Sequence, residues 1–376
     1  QHTLTITDND DPPAIDFTAA TGTIAEDGGT HTLTIQIATA SAKTITVDYA
    51  ISASSTTKSG QDYTFSAGTA TIAAGATTTT ADITVINDLV DEPDQTLIVS
   101  LSDPTNSTVG TNSSHTLTIT DNDDPPTIAF SSAASSASEA TAAVTLTVAQ
   151  SDTSEYDVSV AYTVSGTATD GGADHDLSAG TSSISAGGSS TTITFTVTDD
   201  ATDEDNQTVI VTLDATPTNA TRGTNAAHTY TITDNDDPPT IVFSAGTSTS
   251  GEGDGTATFT LSTSAASEKT ITVDYSATGG TATGSGTDYT LADGTATVTA
   301  GATTTTFSGT LVDDALDEVD ETVIIDLASA TISNATLGAT AQHTLTITDN
   351  DDPPSIDFTA ATGTIAEDGG THTLTI

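Results

Sequence analysis

The chain is 376 residues long, with 4 Lys and Arg against 52 Asp and Glu, a formal net charge of −48, no Cys, Met or Trp, and 4% aromatic residues. Without Cys there are no disulfides, thiolate metal sites or cysteine nucleophiles, and without clustered cations there is no nucleic-acid partner, because phosphates need Lys and Arg to neutralise them. No apolar run approaches the roughly 20 residues of a membrane helix, so no membrane insertion is expected in this segment.

Taken in chain order, the sequence opens on the alternating run His2-Thr3-Leu4-Thr5-Ile6, which leads into Asp8-Asn9-Asp10-Asp11-Pro12-Pro13. Apolar residues then alternate with polar ones, mostly Thr, as in His31-Thr32-Leu33-Thr34-Ile35. A period of two in β-branched residues means strands with one buried and one wet face. Strands are predicted near 14–18, 30–38, 43–51, 69–73, 78–86, 95–102 and 115–120, separated by Gly-Gly, Asn-Asp and Asp-Gly turns. No segment has a 3.6-residue apolar period.

The string Asp-Asn-Asp-Asp-Pro-Pro starts at Asp8 and returns at Asp121, Asp234 and Asp349, at spacings of 113, 113 and 115 residues. That period is too long for a solenoid turn and is a normal size for one sandwich domain. The expected fold class is all-β: tandem seven-stranded antiparallel β-sandwiches joined end to end without flexible linkers. Residues 1–11 read as the last strand of a preceding unit. Units follow at 12–124, 125–237 and 238–352, and 353–376 read as the first strands of a further unit. Gln1–Ile35 returns as Gln342–Ile376 with one change, Ala14 against Ser355, which predicts an excerpt of a longer array. At each boundary two prolines restrict the backbone, giving a short, stiff, acidic hinge.

The acids stand at strand ends, whereas outward strand positions are Thr and Ser. In the first unit they are Glu26, Asp27, Asp62, Asp88, Asp91, Glu92, Asp94, Asp121, Asp123 and Asp124, and the other two units repeat the pattern. Two carboxylates about 4 Å apart repel by roughly 4 kcal/mol at an effective dielectric near 20. Several converging carboxylates therefore call for a counter-ion. Ca²⁺ takes 6–8 oxygens in flexible geometry, whereas Mg²⁺ prefers a stricter octahedron. Nothing in the sequence supports zinc. The competing reading is a solvated acidic loop end that keeps the chain soluble.

Four features in order carry a resemblance: a Glu after the first strand (Glu26), a Gly-x-Asp-Tyr-like loop (Asp62-Tyr63), an Asp-Asp-x-x-x-Glu stretch (Asp199-Asp200 to Glu204, with Asn87-Asp88 to Glu92 in the first unit) and a terminal acidic triplet after an apolar strand (Asp121 to Asp123). On these, the whole chain resembles the Calx-β family, sandwich modules known from sodium–calcium exchangers, an integrin and many bacterial surface proteins. The resemblance implies Ca²⁺ ions, several per unit, at one end of each sandwich. Carried over residue by residue, it implies ligands Glu26, Asp62, Asp88, Glu92, Asp121 and Asp123 in the first unit. In the second they are Glu139, Asp174, Asp199, Asp200, Glu204, Asp234 and Asp236. In the third they are Glu252, Asp288, Asp313, Asp314, Glu318, Glu321, Asp349 and Asp351. Asn87, Gln95 and Gln207 stand where the family often has acids, and Asn122, Asn235 and Asn350 interrupt the terminal triplets. The third unit, with the fullest set, is expected to bind most tightly.

His2, His115, His228 and His343 recur at the start of the last strand and are expected to be exposed. The triplets at Asn106, Asn219 and Asn334 have the form of glycan sequons. No nucleophile elbow accompanies the many Ser, His and Asp residues, so no enzyme is expected. The resulting expectation is a Ca²⁺-binding segment of a long stalk, fibre or adhesin. It would be secreted or on a bacterial cell surface, with ions at the joints stiffening the array. The alternatives are a Ca²⁺-sensing regulatory module, or a filament subunit associating laterally or end to end with identical chains through edge strands.

Overall fold

The computed structural model describes residues 1–7, 9–58 and 60–376; Asp8, the first residue of the first acidic string, lies outside them. In the first sandwich the strands are β1 (Ala14–Phe17), β2 (Thr21–Ala25), β3 (Thr30–Ile37), β4 (Ile45–Ile51), β5 (Tyr63–Thr64), β6 (Gly68–Ile72), β7 (Thr78–Val85), β8 (Gln95–Thr105), β9 (Thr108–Val109) and β10 (Ser114–Thr120). One sheet has the order β5-β7-β3-β1-β9 and the other β2-β10-β8-β4-β6. Two further pairs of sheets follow along the chain; the last repeats this plan, and the middle one has a four-stranded first sheet in which an isolated bridge, His175 to Val197, stands in the place of β5.

The seven strands expected from alternation are all present, and three short ones join them. The most consequential is β2. After Phe17 the chain leaves the first sheet, and β2 pairs in parallel with β10 in the second, Thr21 opposite Thr116 and Ala25 opposite Thr120. None of its residues is fully buried; the backbone ladder to β10 holds it, with Ile24 its one apolar contact with the core. Between the sheets the inward residues form the core, with Ile15, Phe17, Leu33, Ile35, Ile45, Ile83, Leu97 and Leu117 all at 2% exposure or less. Burying such a side chain contributes about 1.5–3 kcal/mol, which is how a Thr-rich chain of low aromatic content holds together. The third sandwich has an equivalent core around Ile241, Phe243, Leu261, Val273 and Ile325.

By contact density the chain divides into two compact units. One comprises Gln1–Ser136, Ala143–Val197 and Thr208–Thr231, and the other Ala137–Ala142, Thr198–Gln207 and Ile232–Ile376. The second unit thus includes three segments of the second sandwich that carry Glu139, Glu204 and Asp234.

Among the described residues no strand precedes Ala14 or follows Thr348. One hydrogen bond of the expected further unit is nevertheless made: Thr359 N–H donates to Thr375 O at 3.0 Å, as Thr18 N–H does to Thr34 O at 2.9 Å.

Three of the four recurrent histidines are buried, contrary to expectation: His115, His228 and His343 are 4%, 4% and 5% exposed, whereas His2 is exposed. Each ring places Nδ1 2.7 Å from a backbone carbonyl, of Ala19, Ser132 and Ala245 respectively. Those carbonyls belong to the crossing between the two sheets, so the imidazole holds the chain where it changes sheet. The sequon-like Asn106, Asn219 and Asn334 have φ of 58°, 54° and 58°. This is the left-handed region that Asn tolerates. Their side-chain amides donate to the carbonyls of Thr44, Asp157 and Thr270. The recurrence of these triplets thus has a conformational reason.

Candidate metal centres

The fold brings the acids together for simple reasons of register. Because Ala25 lies opposite Thr120, the next residues on each strand, Glu26 and Asp121, are neighbours at the same end. Glu26 begins a single 3-10 turn, Glu26–Gly28, which turns its carboxylate inward. The third sandwich repeats this with Gly251 opposite Thr348, followed by the turn Glu252–Asp254 and by Asp349. Asp62 joins because Tyr63 pairs with Val85, and Ile86 N–H donates to Asp62 O at 2.9 Å. Asp88 and Glu92 lie on the link from β7 to β8.

Among the described residues three triads share the Glu and the last Asp: Glu26 with Asp88 and Asp123, Glu139 with Asp234 and Asp236, and Glu252 with Asp349 and Asp351; the first takes Asp88 from the β7–β8 link where the other two take the first Asp of the terminal string. In each, one oxygen per residue lies within 4.8 Å of the others. A fourth group, Asp288, Glu318 and Glu321, meets the same measure in the third sandwich. A small cavity in the first sandwich is lined by Glu26, Asp62, Glu92, Gln95 and Asp121. Its counterpart in the third is lined by Glu252, Asp288, Glu318, Glu321 and Asp349.

The remaining sequence-predicted residues fall around these groups. Asp199 and Asp313 accept from the side-chain amides of Asn235 and Asn350, at 3.4 and 2.9 Å. Asp200 and Asp314 accept from the backbone of Thr202 and Leu316. Glu204 accepts from Gln207 Nε2 at 2.7 Å, and its N–H donates to Asp234 Oδ2 at 3.2 Å. Asp174 accepts from Thr169 N–H within its own loop.

The electrostatics of the groups point to a missing positive charge. Burial, followed by Asp88, Asp123 and Asp121, pushes the Glu26 carboxyl above its ordinary value. Glu139 and Glu252 are raised in the same way, first by burial and then by the neighbouring carboxylates. Glu92 is pushed up to about 7 by burial, then by Glu155, Asp62 and Asp88. Glu321 is pushed up to about 7 by burial, a hydrogen bond shared with Asp288, and the charges of Asp288 and Glu318.

A further observation tests whether a cation fits. Asp123 Oδ2, Asp236 Oδ2 and Asp351 Oδ2 are buried and have no hydrogen-bond partner among the described residues. An unsatisfied buried carboxylate oxygen costs several kcal/mol or forces protonation. The same atom is orphaned at the same place in three domains, each time inside a triad. A hard divalent cation that accepts only oxygen ligands would satisfy all three. The residues therefore fit such an ion.

Several residues have roles that the sequence did not reveal. Asn235 does not offer its amide oxygen as a ligand; that oxygen accepts from Ser138 Oγ at 2.9 Å, while its Nδ2 faces Asp199. The amide is a neutral spacer that lets two acidic segments approach. Gln95 plays a comparable part, donating to Glu92. Asp91 and Asp203, members of the acidic strings, are turned away from the triads and fasten the next sandwich. Ser154 Oγ donates to Asp91 Oδ2 at 2.8 Å, and Ser267 Oγ to Asp203 Oδ2 at 2.9 Å. Lys269 Nζ adds a salt bridge to Asp203 at 2.7 Å and approaches Asp234 at 3.6 Å. Lys58 makes an ion pair with Glu155. Two of the four cations thus stand at joints.

Comparison with known proteins gives a consistent family. A model of the Calx-beta domain matches residues 8–123, 121–236 and 234–351. No curated protein sequence matches the chain. Among solved structures, CBD12 from CALX1.2 is similar at 19% identity and a TM-score of 0.29, covering 54% of this chain and 80% of that one. The calcium binding domain CBD12 of CALX1.1 is similar at 18% identity and a TM-score of 0.30, covering 56% and 82%. Extracellular cadherin domains 3–6 of protocadherin gamma B2 align at 15% identity and a TM-score of 0.31, over 94% and 77%.

Proposed function

The chain belongs to the Calx-beta domain family, three such domains in tandem, and from that premise we propose that it is a Ca²⁺-binding run of extracellular repeats, part of a cell-surface stalk, fibre or adhesin that calcium stiffens. The observation that carries this reading is the buried, unsatisfied Oδ2 of Asp123, Asp236 and Asp351, each within a carboxylate triad. Glu26, Glu139 and Glu252 with their paired Asp residues would hold an ion in every domain. Asp288, Glu318 and Glu321 would hold a further one in the third. Bound Ca²⁺ supplies positive charge and open coordination positions for carboxylate oxygens.

Stiffening follows from the adjacency of two roles. Glu92 lines the ion cavity, and its neighbour Asp91 fastens the following domain. Glu204 and Asp203 stand in the same relation. Neutralising the glutamate holds the loop from which the joint hangs, whereas repulsion among bare carboxylates loosens it. Millimolar extracellular Ca²⁺ suits sites of this kind, and a chain without Cys has no disulfides to do the same work.

Calorimetric titration and thermal unfolding of the whole chain test the reading. Binding to the native state alone raises stability by about 2.7 kcal/mol at an ion concentration a hundred times Kd. A melting curve unmoved by millimolar Ca²⁺ would refute calcium binding. Electron micrographs equally straight before and after chelation would refute stiffening.

A further inference from the structure

The geometry points to a transition-metal site in the first domain, where His31 and His115 hold an ion of the zinc and copper class beside Gly22, between the two sheets. The site is built from imidazoles and stands apart from the carboxylate groups, so it does not depend on calcium binding.

The buried histidines of the three domains start from one plan. In His115, His228 and His343 the Nδ1 atom lies 2.7 Å from a backbone carbonyl. A carbonyl oxygen only accepts, so Nδ1 carries the proton, and in the neutral ring Nε2 presents a bare lone pair. In the second and third domains that lone pair accepts from a serine hydroxyl, Ser135 Oγ and Ser248 Oγ, each at 2.7 Å. The first domain has Gly22 in place of the serine. There His115 Nε2 is buried with no hydrogen-bond partner among the described residues. A buried acceptor in that state is destabilising unless something else takes the lone pair.

A second change accompanies the first. The first domain carries His31 where the others carry Val144 and Ala257. His31 stands on β3 in one sheet and His115 on β10 in the other, with ring centroids 5.4 Å apart. A Cβ on Gly22 would lie 3.0 Å from His115 Nε2 and 3.0 Å from His31 Nε2. Both nitrogens therefore border the one space that the missing side chain leaves. Loss of the hydroxyl donor and gain of a second imidazole fall on the same spot. The pairing of glycine with histidine returns at Gly363 and His372, where a Cβ on the glycine would collide with His372 Nε2.

Two imidazole nitrogens select the occupant. Ca²⁺ and Mg²⁺ take oxygen ligands, whereas imidazole suits Zn²⁺, Cu²⁺ and Ni²⁺. The bond from His115 Nδ1–H to the Ala19 carbonyl is of the kind that fixes the tautomer of a metal-ligating histidine and leaves Nε2 as the donor atom. Burial, followed by His115, lowers the pKa of His31 below its ordinary 6.5, which keeps the second ring neutral and able to ligate at neutral pH. His115 is fixed in place, while His31 is half-buried and gives an ion its path from solvent. Closing to the roughly 2.0–2.1 Å of a Zn–N bond falls to the His31 ring, and water fills the remaining positions. The two histidines belong to different sheets, so no short His spacing in the sequence announces them.

Calorimetric titration of the whole chain with Zn²⁺ in saturating Ca²⁺, which occupies the carboxylate groups, tests the proposal. The nitrogen resonances of the histidine side chains give a second readout. The expected result is a Zn²⁺ event that shifts Nε2 of His31 and His115 together and is weakened at least tenfold in His31→Ala. Alanine is what the third domain carries at that position, and a melting curve in metal-free buffer checks that the variant is folded. Conversely, a Ser248→Gly, Ala257→His double variant should rebuild the pair in the third domain, add a second event and shift His343. A parent chain in which Zn²⁺ leaves the His31 and His115 resonances unmoved overturns the proposal, and a bridging water would then link the two rings. So does a Zn²⁺ affinity undiminished in His31→Ala, which would assign the ion to the carboxylate groups.

Discussion

Gln207 donates its side-chain amide to Glu204 at 2.7 Å, at the place where the third domain sets a second carboxylate, Glu321, into the group formed with Glu318 and Asp288. One amide in place of one acid removes a negative charge and gives Glu204 a hydrogen-bond donor, while Gln207 Oε1 is buried without a hydrogen-bond partner among the described residues. The second Glu position therefore decides whether a domain has one carboxylate group or two.

Glu321→Gln should remove the additional binding event of the third domain and weaken calcium uptake there at least tenfold, about 1.4 kcal/mol. Titration calorimetry on the whole chain reads the lost stoichiometry. The reverse change, Gln207→Glu, should add a binding event in the second domain. Unchanged stoichiometry in both variants would mean that the second Glu position takes no ion.

The raised carboxyls give the ion-free protein a pH dependence with a definite sign. Glu92 and Glu321 titrate near 7 in the fold against an ordinary 4.5. Folding therefore takes up protons between those values. Their contribution to stability is fully present below about 4.5 and is lost as pH rises through 7. In chelator, the melting temperature should fall between pH 5 and pH 8, and saturating Ca²⁺ should reverse the trend. His31 opposes this in the first domain, because burial and then His115 lower its value below 6.5. Its contribution is present above 6.5 and lost below. A Glu92→Gln, Glu321→Gln variant that kept the full slope in chelator would contradict the assignment.

His31 and His115 also account for a glycine. In the second and third domains Ser135 and Ser248 lie 2.7 Å from the Nε2 atoms of His228 and His343. The first domain has Gly22 there, and His115 Nε2 has no partner among the described residues. A Cβ on Gly22 would come within 2.8 Å of His31 Cε1. At the place of His31 the other domains carry Val144 and Ala257. Gly22→Ser alone should destabilise the first domain. Combined with His31→Ala it should recover about 1 kcal/mol through the new hydrogen bond. A denaturant-based double-mutant cycle measures the coupling, and additive effects would refute it.

At the second joint, Ser267→Ala removes the hydroxyl that satisfies a buried carboxylate. A cost of about 1–3 kcal/mol is expected. The local readout is amide exchange at Glu268, whose N–H donates to Asp203 O. Exchange there should accelerate while that of Leu261, in the core of the same domain, stays unchanged. Equal rates in parent and variant would remove Ser267 from the joint.

Much of this was legible in the residues. Thr alternating with Ile, Val and Leu marked the seven principal strands, because in each of them the buried residues fall at alternate positions. Thr21-Gly22-Thr23-Ile24-Ala25 was not legible, since β2 buries none of its residues fully and is defined by a backbone partner 95 residues away. The acidic strings marked one end of each sandwich but could not separate Asp91 from Glu92. What separates them is Ser154, in another domain. The buried imidazoles were missed for the same reason: the carbonyls that hold them appear only when the chain crosses between sheets.

That crossing also sets how the domain meets a pulling force. β2 lies near the start of its domain and β10 at the end, and they run parallel, side by side, over five paired positions from Thr21–Thr116 to Ala25–Thr120. Thr247–Gly251 and Thr344–Thr348 repeat the arrangement. Tension applied through the two ends slides such strands past one another, so the bonds across the ladder carry load together. In a hairpin pulled apart at its open end they would fail one at a time. An otherwise unremarkable polar strand is thereby the mechanical clamp of each domain, and disrupting it should lower unfolding force far more than it lowers thermal stability.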